Sequence, residues 1–227
     1  MVFALFRAVV ELFTPSLRRI VGLGLVLSVA SFAVSWLAVA FALYHTSLFG
    51  WRPLDWLVDL FGALAVLALS WLLFPAVATM VMGFFLGRVA DSIESMDYPG
   101  RGPARQTPLS ETIIATIRLM SLTIGLNLLA LPIYALLPGV NFFVFLGLNG
   151  YLLGREYFEV VALRRLDLKT ARAARQRFAG RVFFGGVIIA ALFTVPLVNL
   201  IAPVLATAFM VHMFEGLRRL QPSLAAP

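Results

Sequence analysis

The sequence predicts an all-α, polytopic membrane protein with two long transmembrane helices and two membrane-inserted helical hairpins, each broken at a Pro/Asn turn. Three observations carry that expectation. Of 227 residues, 61% are hydrophobic and 13% charged, too few charges to clothe a soluble core of this size. Uncharged apolar runs of about 25 residues recur, each enough to cross a hydrocarbon core of about 30 Å. Proline-containing breaks divide the later apolar stretches, where exposed backbone has to be shielded from lipid. The length fits a single domain over 1–227.

The elements follow in chain order. Met1–Phe13 places Phe3, Phe6, Val9, Val10 and Phe13 at helical spacing, with Arg7 and Glu11 among them. No small-residue cleavage site accompanies this pattern, so residues 1–19 are read as a membrane-surface helix leading into a polar segment, not as a cleavable signal. Residues 20–44 form the first span. A polar connection from His45 to Asp59 holds Trp51 and Trp56, suited to interfacial anchoring. Residues 60–87 form the second span, with a kink expected at Pro75. Asp91, Glu94 and Asp97 recur every third residue, so this helix is expected to leave the membrane and run on to about residue 97. Pro99-Gly100 then stops it, and Ser110-Glu111-Thr112 can open the next helix.

The hairpins are expected over 119–154 and 182–217. Their breaks read Pro138-Gly139-Val140-Asn141 and Pro196-Leu197-Val198-Asn199, a weak internal repeat about 58 residues apart. Arms of about 14 residues would reach only about 21 Å, so each hairpin is expected to enter the membrane and turn back. Asn141 and Asn199 can cap helix ends at these turns or line a shielded polar cavity. Asn127, Asn149 and His212 lie inside apolar arms, where interhelical hydrogen bonding and a polar pathway are both open readings. Arg155, Glu156 and Glu159 mark the first hairpin's exit and are suited to ion pairing or to flanking such a pathway. Gly83/Gly87 and Gly150/Gly154 are GxxxG pairs that permit close helix contact, within the chain or between copies.

The net charge of +7 comes almost wholly from arginine, Lys169 being the only lysine. These arginines flank apolar runs and are read as orientation signals, so no nucleic-acid partner is expected. Hairpins that return to their starting face put the basic segments on one side, which orients both termini to the cytoplasm. The absence of cysteine excludes disulfides, thiolate zinc sites and cysteine nucleophiles. His45 and His212 are the only histidines and lack metal-ligand spacing, and no phosphate-binding Walker loop appears. No metal, cofactor or enzymatic activity is therefore expected.

The strongest candidate binding segment is Thr14-Pro15-Ser16-Leu17-Arg18-Arg19, where the first long helix begins. A helix start offers unpaired N–H groups and the positive end of the helix dipole, and two guanidinium forks match a tetrahedral oxyanion. Paired arginines before a span also serve simply as topology signals. Both readings stand on the residues alone.

Several segments resemble the CysZ-type sulfate permease family, in order and in spacing along nearly the whole chain. Pro15-Ser16-Leu17-Arg18-Arg19 is similar to its Pro-Gly-Ile/Leu-Arg-Arg segment. Phe193-Thr194-Val195-Pro196-Leu197-Val198-Asn199-Leu200, followed by Pro203, is similar to its Phe-Thr-x-x-Pro-Leu-x-Asn-Leu segment. Leu137-Pro138-Gly139-Val140 resembles its first hairpin turn, and Glu156-Tyr157 falls where it carries Gln-Tyr. The resemblance implies a homo-oligomeric bacterial inner-membrane protein that takes up sulfate for cysteine biosynthesis. It also implies sulfate binding at Ser16, Leu17, Arg18 and Arg19. Membrane lipids and sulfate or a related oxyanion are then the expected partners. Three departures mark a divergent branch: Ser16 replaces a glycine, Glu159-Val160-Val161 replaces Asp-Tyr-Pro, and Gly24 and Ser28 replace a proline and an asparagine. The alternative from another class is a non-transporting scaffold whose arginine-rich cytoplasmic face binds anionic lipid or a partner protein.

Overall fold

The computed structural model describes residues 1–45, 61–62, 64, 67, 74–75 and 77–220. Every regular element among them is helical, as the composition and periodicity require. Helix α1 covers Val2–Glu11 and α2 covers Pro15–His45; α3 is Leu86–Asp97, α4 Leu109–Leu136 and α5 Asn141–Ala162. They are followed by α6 (Leu168–Arg177), α7 (Ala179–Thr194), the short α8 (Pro196–Asn199) and α9 (Ala202–Leu220).

Helix α9 forms the centre. Residues 202–215 are all buried, and α1, α3, α5 and α7 pack around it. Phe158 of α5 meets Phe214 of α9 edge to face at 5.7 Å between ring centroids, an arrangement favoured by the ring quadrupoles. Helix α1 crosses α9 through Ala4, Ala8 and Glu11, one face at helical spacing. Phe3, Phe6 and Phe13 stay exposed on the far side, while Ala4, Ala8 and the partly buried Leu5 and Leu12 make the apolar protein contact.

Among the described residues, two helices are long and apolar enough to cross a membrane: α2 over Pro15–Ala38 and α4 over Leu109–Leu136. The first overlaps residues 20–38 of the span expected over 20–44, and its helix runs from Pro15 to His45. Most of the second expected span, with Trp51, Trp56 and the stretch around Pro75, lies outside the described residues. Residues 77–83 are helical there, but the chain breaks at Phe84-Phe85 before α3 resumes at Leu86. The expected continuous exit is thus two helical segments.

Helix α4 corrects the estimate of short arms. It has 28 residues and reaches about 42 Å, because it runs unbroken from Leu109 into the arm expected to begin at residue 119. The reason is local: Glu111 and Arg118 are accommodated in the same helix, and Pro132 does not end it. The second hairpin keeps a short arm, since α7 has 16 residues and reaches about 24 Å, less than a hydrocarbon core of about 30 Å.

Both breaks fall where proline and asparagine put them. Pro138–Val140 forms one 3-10 turn between α4 and α5, and Pro196–Asn199 forms α8 between α7 and α9. Proline cannot donate its backbone nitrogen, so the helix ladder is cut and restarts with proline in a first turn.

Gly150 and Gly154 of α5 are used inside the chain. A Cβ at Gly186 of α7 would lie 1.8 Å from the Gly150 carbonyl oxygen and 2.5 Å from the Gly154 nitrogen. This GxxxG pair therefore seats α7. In contrast, Gly83 has nothing within 4 Å of a built Cβ. Gly24 and Ser28 form a similar seat on α2: Ser28 is buried, and a Cβ at Gly24 would meet Met82 Sδ at 2.5 Å. The departure at Gly24 thus provides room for Met82, and the buried Ser28 hydroxyl donates to the Gly24 carbonyl.

Candidate functional site

The turn between α1 and α2 sets the position of the Ser16–Arg19 segment. Thr14 N and Thr14 Oγ1 both donate to the Glu11 carbonyl, at 2.9 and 2.6 Å. Pro15 then begins α2, and the first helical bond in this turn runs from Arg18 N to Thr14 O at 2.9 Å. The N–H groups of Ser16 and Leu17 precede that bond and have no acceptor within the helix. Leu17 is fully buried and anchors the turn in the core, while Ser16, Arg18 and Arg19 are exposed. Neither Arg18 nor Arg19 has an ion-pair partner among the described residues. Two uncompensated guanidiniums, a hydroxyl and two free amides therefore share one helix start.

A buried polar network holds this turn in place. Glu11, one turn before α2, receives His212 Nε2 of α9 at 2.8 Å, and His212 Nδ1 meets Tyr98 Oη at 2.9 Å. Burial pushes the Tyr98 phenol above its ordinary value, so it keeps its proton and donates to Nδ1. With Nδ1 accepting, Nε2–H is left to donate to Glu11. Arg7 pairs with Asp97 at 2.7 Å alongside. Ligand atoms of Glu11, Asp97 and His212 lie within 4.8 Å of one another, the spacing of a metal site. Each residue is already engaged by Tyr98, Arg7 or its neighbour, so the cluster acts as a clasp between α1, α3 and α9.

The arginines of the connecting loops behave differently from Arg18 and Arg19. Glu94 holds Arg164 at 3.0 Å and Arg165 at 2.6 Å, and Arg164 also pairs with Asp91. Arg165 Nη1 donates to the carbonyls of Arg101, Gly102 and Pro103, each at 3.1 Å. Glu215 takes Arg101 and Arg218, and Arg105 forks onto Glu111. Much of the charge that reads as a topology signal is spent on internal pairs.

The other candidate residues are placed apart. Asn127 Nδ2 donates to Thr123 O at 2.8 Å and Asn149 Nδ2 to Phe145 O at 2.9 Å, each within its own helix. Asn141 Nδ2 reaches back across the hairpin turn to Tyr134 O at 3.2 Å, as a turn cap would. The side-chain oxygens of Asn141 and Asn199 are buried without a hydrogen-bond partner. Arg155 and Glu156 face different cavities. Arg155 shares Glu159 with Arg175, at 3.1 and 3.3 Å. Glu156 lines a cavity of about 380 Å³ with Thr107, Thr112, Thr116 and Glu159. The lining of that cavity offers an anion no cationic group. Sequence reasoning missed the Glu11–His212–Tyr98 clasp and the Glu94 hub, whose members lie far apart in the chain and leave no local pattern. Arg175 was visible only as one of several basic residues.

The fold and the site together describe a helical integral membrane protein with an unneutralised cationic helix start beside its first long apolar helix. Residues 4–203 match the family described as Sulfate transporter CysZ/Etoposide-induced protein 2.4, and the chain belongs to that family. No curated protein and no solved structure matches the chain significantly. Membership supports a transport function of the sulfate-transporter type.

Proposed function

We propose that the chain is a bacterial inner-membrane permease for sulfate or a related oxyanion, feeding cysteine biosynthesis and working as a homo-oligomer with both termini in the cytoplasm. The observation that carries this reading is the start of α2, where Arg18 and Arg19 have no carboxylate partner among the described residues, whereas Arg101, Arg105, Arg164 and Arg165 of the connecting loops do. A tetrahedral dianion would satisfy both guanidiniums, the Ser16 hydroxyl and the free amides of Ser16 and Leu17 at once. Buried Leu17 and the Glu11 clasp would hold those donors still, and preorganised donors bind an anion at lower entropic cost. Residues 1–19 then lie at the membrane surface, with Phe3, Phe6 and Phe13 toward lipid. The exposed apolar sides of α2 and α4 leave surface for acyl chains or for a second copy. Asn141, Asn149 and Asn199 mark the hairpins along which an anion would travel. The scaffold alternative depends on a free arginine face, and the internal pairing of Arg101, Arg105, Arg164 and Arg165 weighs against it.

The test is radiolabelled sulfate flux into proteoliposomes. Parent protein is expected to exceed empty vesicles clearly. Arg18→Ala/Arg19→Ala should lose at least tenfold, because each charge-assisted contact contributes about 1.5–3 kcal/mol. Parent flux at the empty-vesicle level would remove the permease reading, and full flux in the double variant would remove the site.

A further inference from the structure

A second basic pocket lies away from the α2 start, at the elbow between α6 and α7. It measures about 300 Å³ and is lined by Arg155, Arg175, Ala179, Gly180, Tyr151 and Phe183, among others. Arg155 Nε and Arg175 Nε both approach one oxygen of Glu159, at 3.1 and 3.3 Å. Among the described residues two guanidiniums thus share a single carboxylate, which leaves one positive charge unbalanced. Their side chains are only 10% and 16% exposed, and Arg175 Nε is buried without a hydrogen bond. A half-compensated buried cation of this kind is costly unless a further anion completes it.

The backbone adds to the same charge. Helix α7 has 16 residues, and its first helical bond runs from Val182 N to Phe178 O. The N–H groups of Ala179, Gly180 and Arg181 precede it and lack helical acceptors. Gly180 lines the pocket, and a Cβ built there meets nothing within 4 Å, so the space beside these amides is open.

Position decides the kind of anion. Helix α6 carries Lys169, Arg172, Arg175 and Arg177, whereas α7 is apolar beyond Arg181, and the two meet at 88°. With α7 entering the membrane, as the hairpin reading holds, α6 lies along the surface and the elbow sits at headgroup depth. The walls from Tyr151, Val182 and Phe183 are mostly apolar. Such walls suit a glycerol and acyl-chain root better than a fully hydrated ion. We infer that the Arg155/Arg175 elbow pocket binds the phosphodiester headgroup of an anionic phospholipid, a site separate from the Ser16–Arg19 segment and independent of whether sulfate is carried there.

The test compares the full-length protein in phosphatidylcholine nanodiscs with and without phosphatidylglycerol, reading lipid retention by native mass spectrometry and melting temperature. Phosphatidylglycerol is expected to be retained and to raise the melting temperature of the parent. Arg175→Ala should weaken retention about fivefold, the usual effect of one basic residue at an anionic surface. Gly180→Asp keeps the fold testable, because an acidic residue in a first helical turn is stabilising. This variant should melt no lower than the parent in pure phosphatidylcholine, yet gain nothing from phosphatidylglycerol. The inference fails if both variants keep the parent's gain. It fails equally if inorganic phosphate in pure phosphatidylcholine reproduces that gain in Arg18→Ala/Arg19→Ala protein, where the α2 start no longer offers its two guanidiniums.

Discussion

Substitution of Gly186 by alanine tests the packing on which both hairpins depend. The added Cβ would sit 1.8 Å from Gly150 O, 2.5 Å from Gly154 N and 2.6 Å from Gly154 Cα, all of them backbone atoms. Real Cβ contacts essentially never fall below 3.0 Å, so α5 and α7 would have to separate by at least 3.0 − 1.8 = 1.2 Å at this point. A gap of about 0.5–1 Å already forfeits a quarter to a half of each van der Waals contact across it. No side chain can rotate away to absorb the clash. The cost should therefore reach the top of the overpacking range, about 3 kcal/mol. For a chain of this length, that is a fall of about 6–12 °C in melting temperature. Fluorescence-detected size-exclusion after heating, in a mild detergent, measures it. Gly180→Ala is the control, since a Cβ there meets nothing within 4 Å. If Gly186→Ala melts within 1 °C of the parent while Gly180→Ala behaves the same, the α5–α7 seat is not as close as described. If the Gly150/Gly154 face instead served association between copies, the variant would lose its oligomer and keep its protomer stability.

Further expectations concern the polar network. Glu94→Gln removes the carboxylate shared by Arg164 and Arg165. Because Asp91 and three carbonyls remain as partners, the cost should be about 2 kcal/mol, below the range for stripping a buried pair, and visible as a drop of about 4–8 °C. Tyr98→Phe leaves His212 Nδ1 without its partner and should cost about 1 kcal/mol. Burial raises the Tyr98 phenol in the folded chain. Above its ordinary value of 10.0 the unfolded chain therefore loses this proton first, and stability should fall as pH rises past that point and level off below it. Melting curves between pH 8 and 11 for the parent and Tyr98→Phe check this, and an equal alkaline decline in both would refute it. The flux loss of Arg18→Ala/Arg19→Ala completes the set.

Much of the architecture was legible because lipid imposes one-dimensional rules. An uncharged apolar run from Ile20 to Tyr44 has to be a helix, since each backbone polar group must be paired within its own segment. Pro138 and Pro196, each followed three residues on by an asparagine, mark the places where helices stop, and the turns are found at those residues. The start of α2 at Pro15, with two arginines just inside it, was equally visible. The opening of α4 near Ser110-Glu111-Thr112 was visible as well, but the hairpin was bounded at residue 119, after Arg118, so the first turns of this helix were left outside it.

What the order of residues determined, then, was helicity, the places where helices stop, and the offer of two guanidiniums at a helix start. Which charges stay free was decided only in three dimensions. Glu11 finds His212 across 201 positions and Arg165 finds Glu94 across 71, so no local pattern could assign the pairs. Gly150 and Gly154 carry a motif that fits a partner in any chain, and only the placement of Gly186 shows that the partner is internal. Hydropathy acts residue by residue against a uniform solvent, whereas ion pairing and close packing are properties of neighbours, and neighbours exist only after folding.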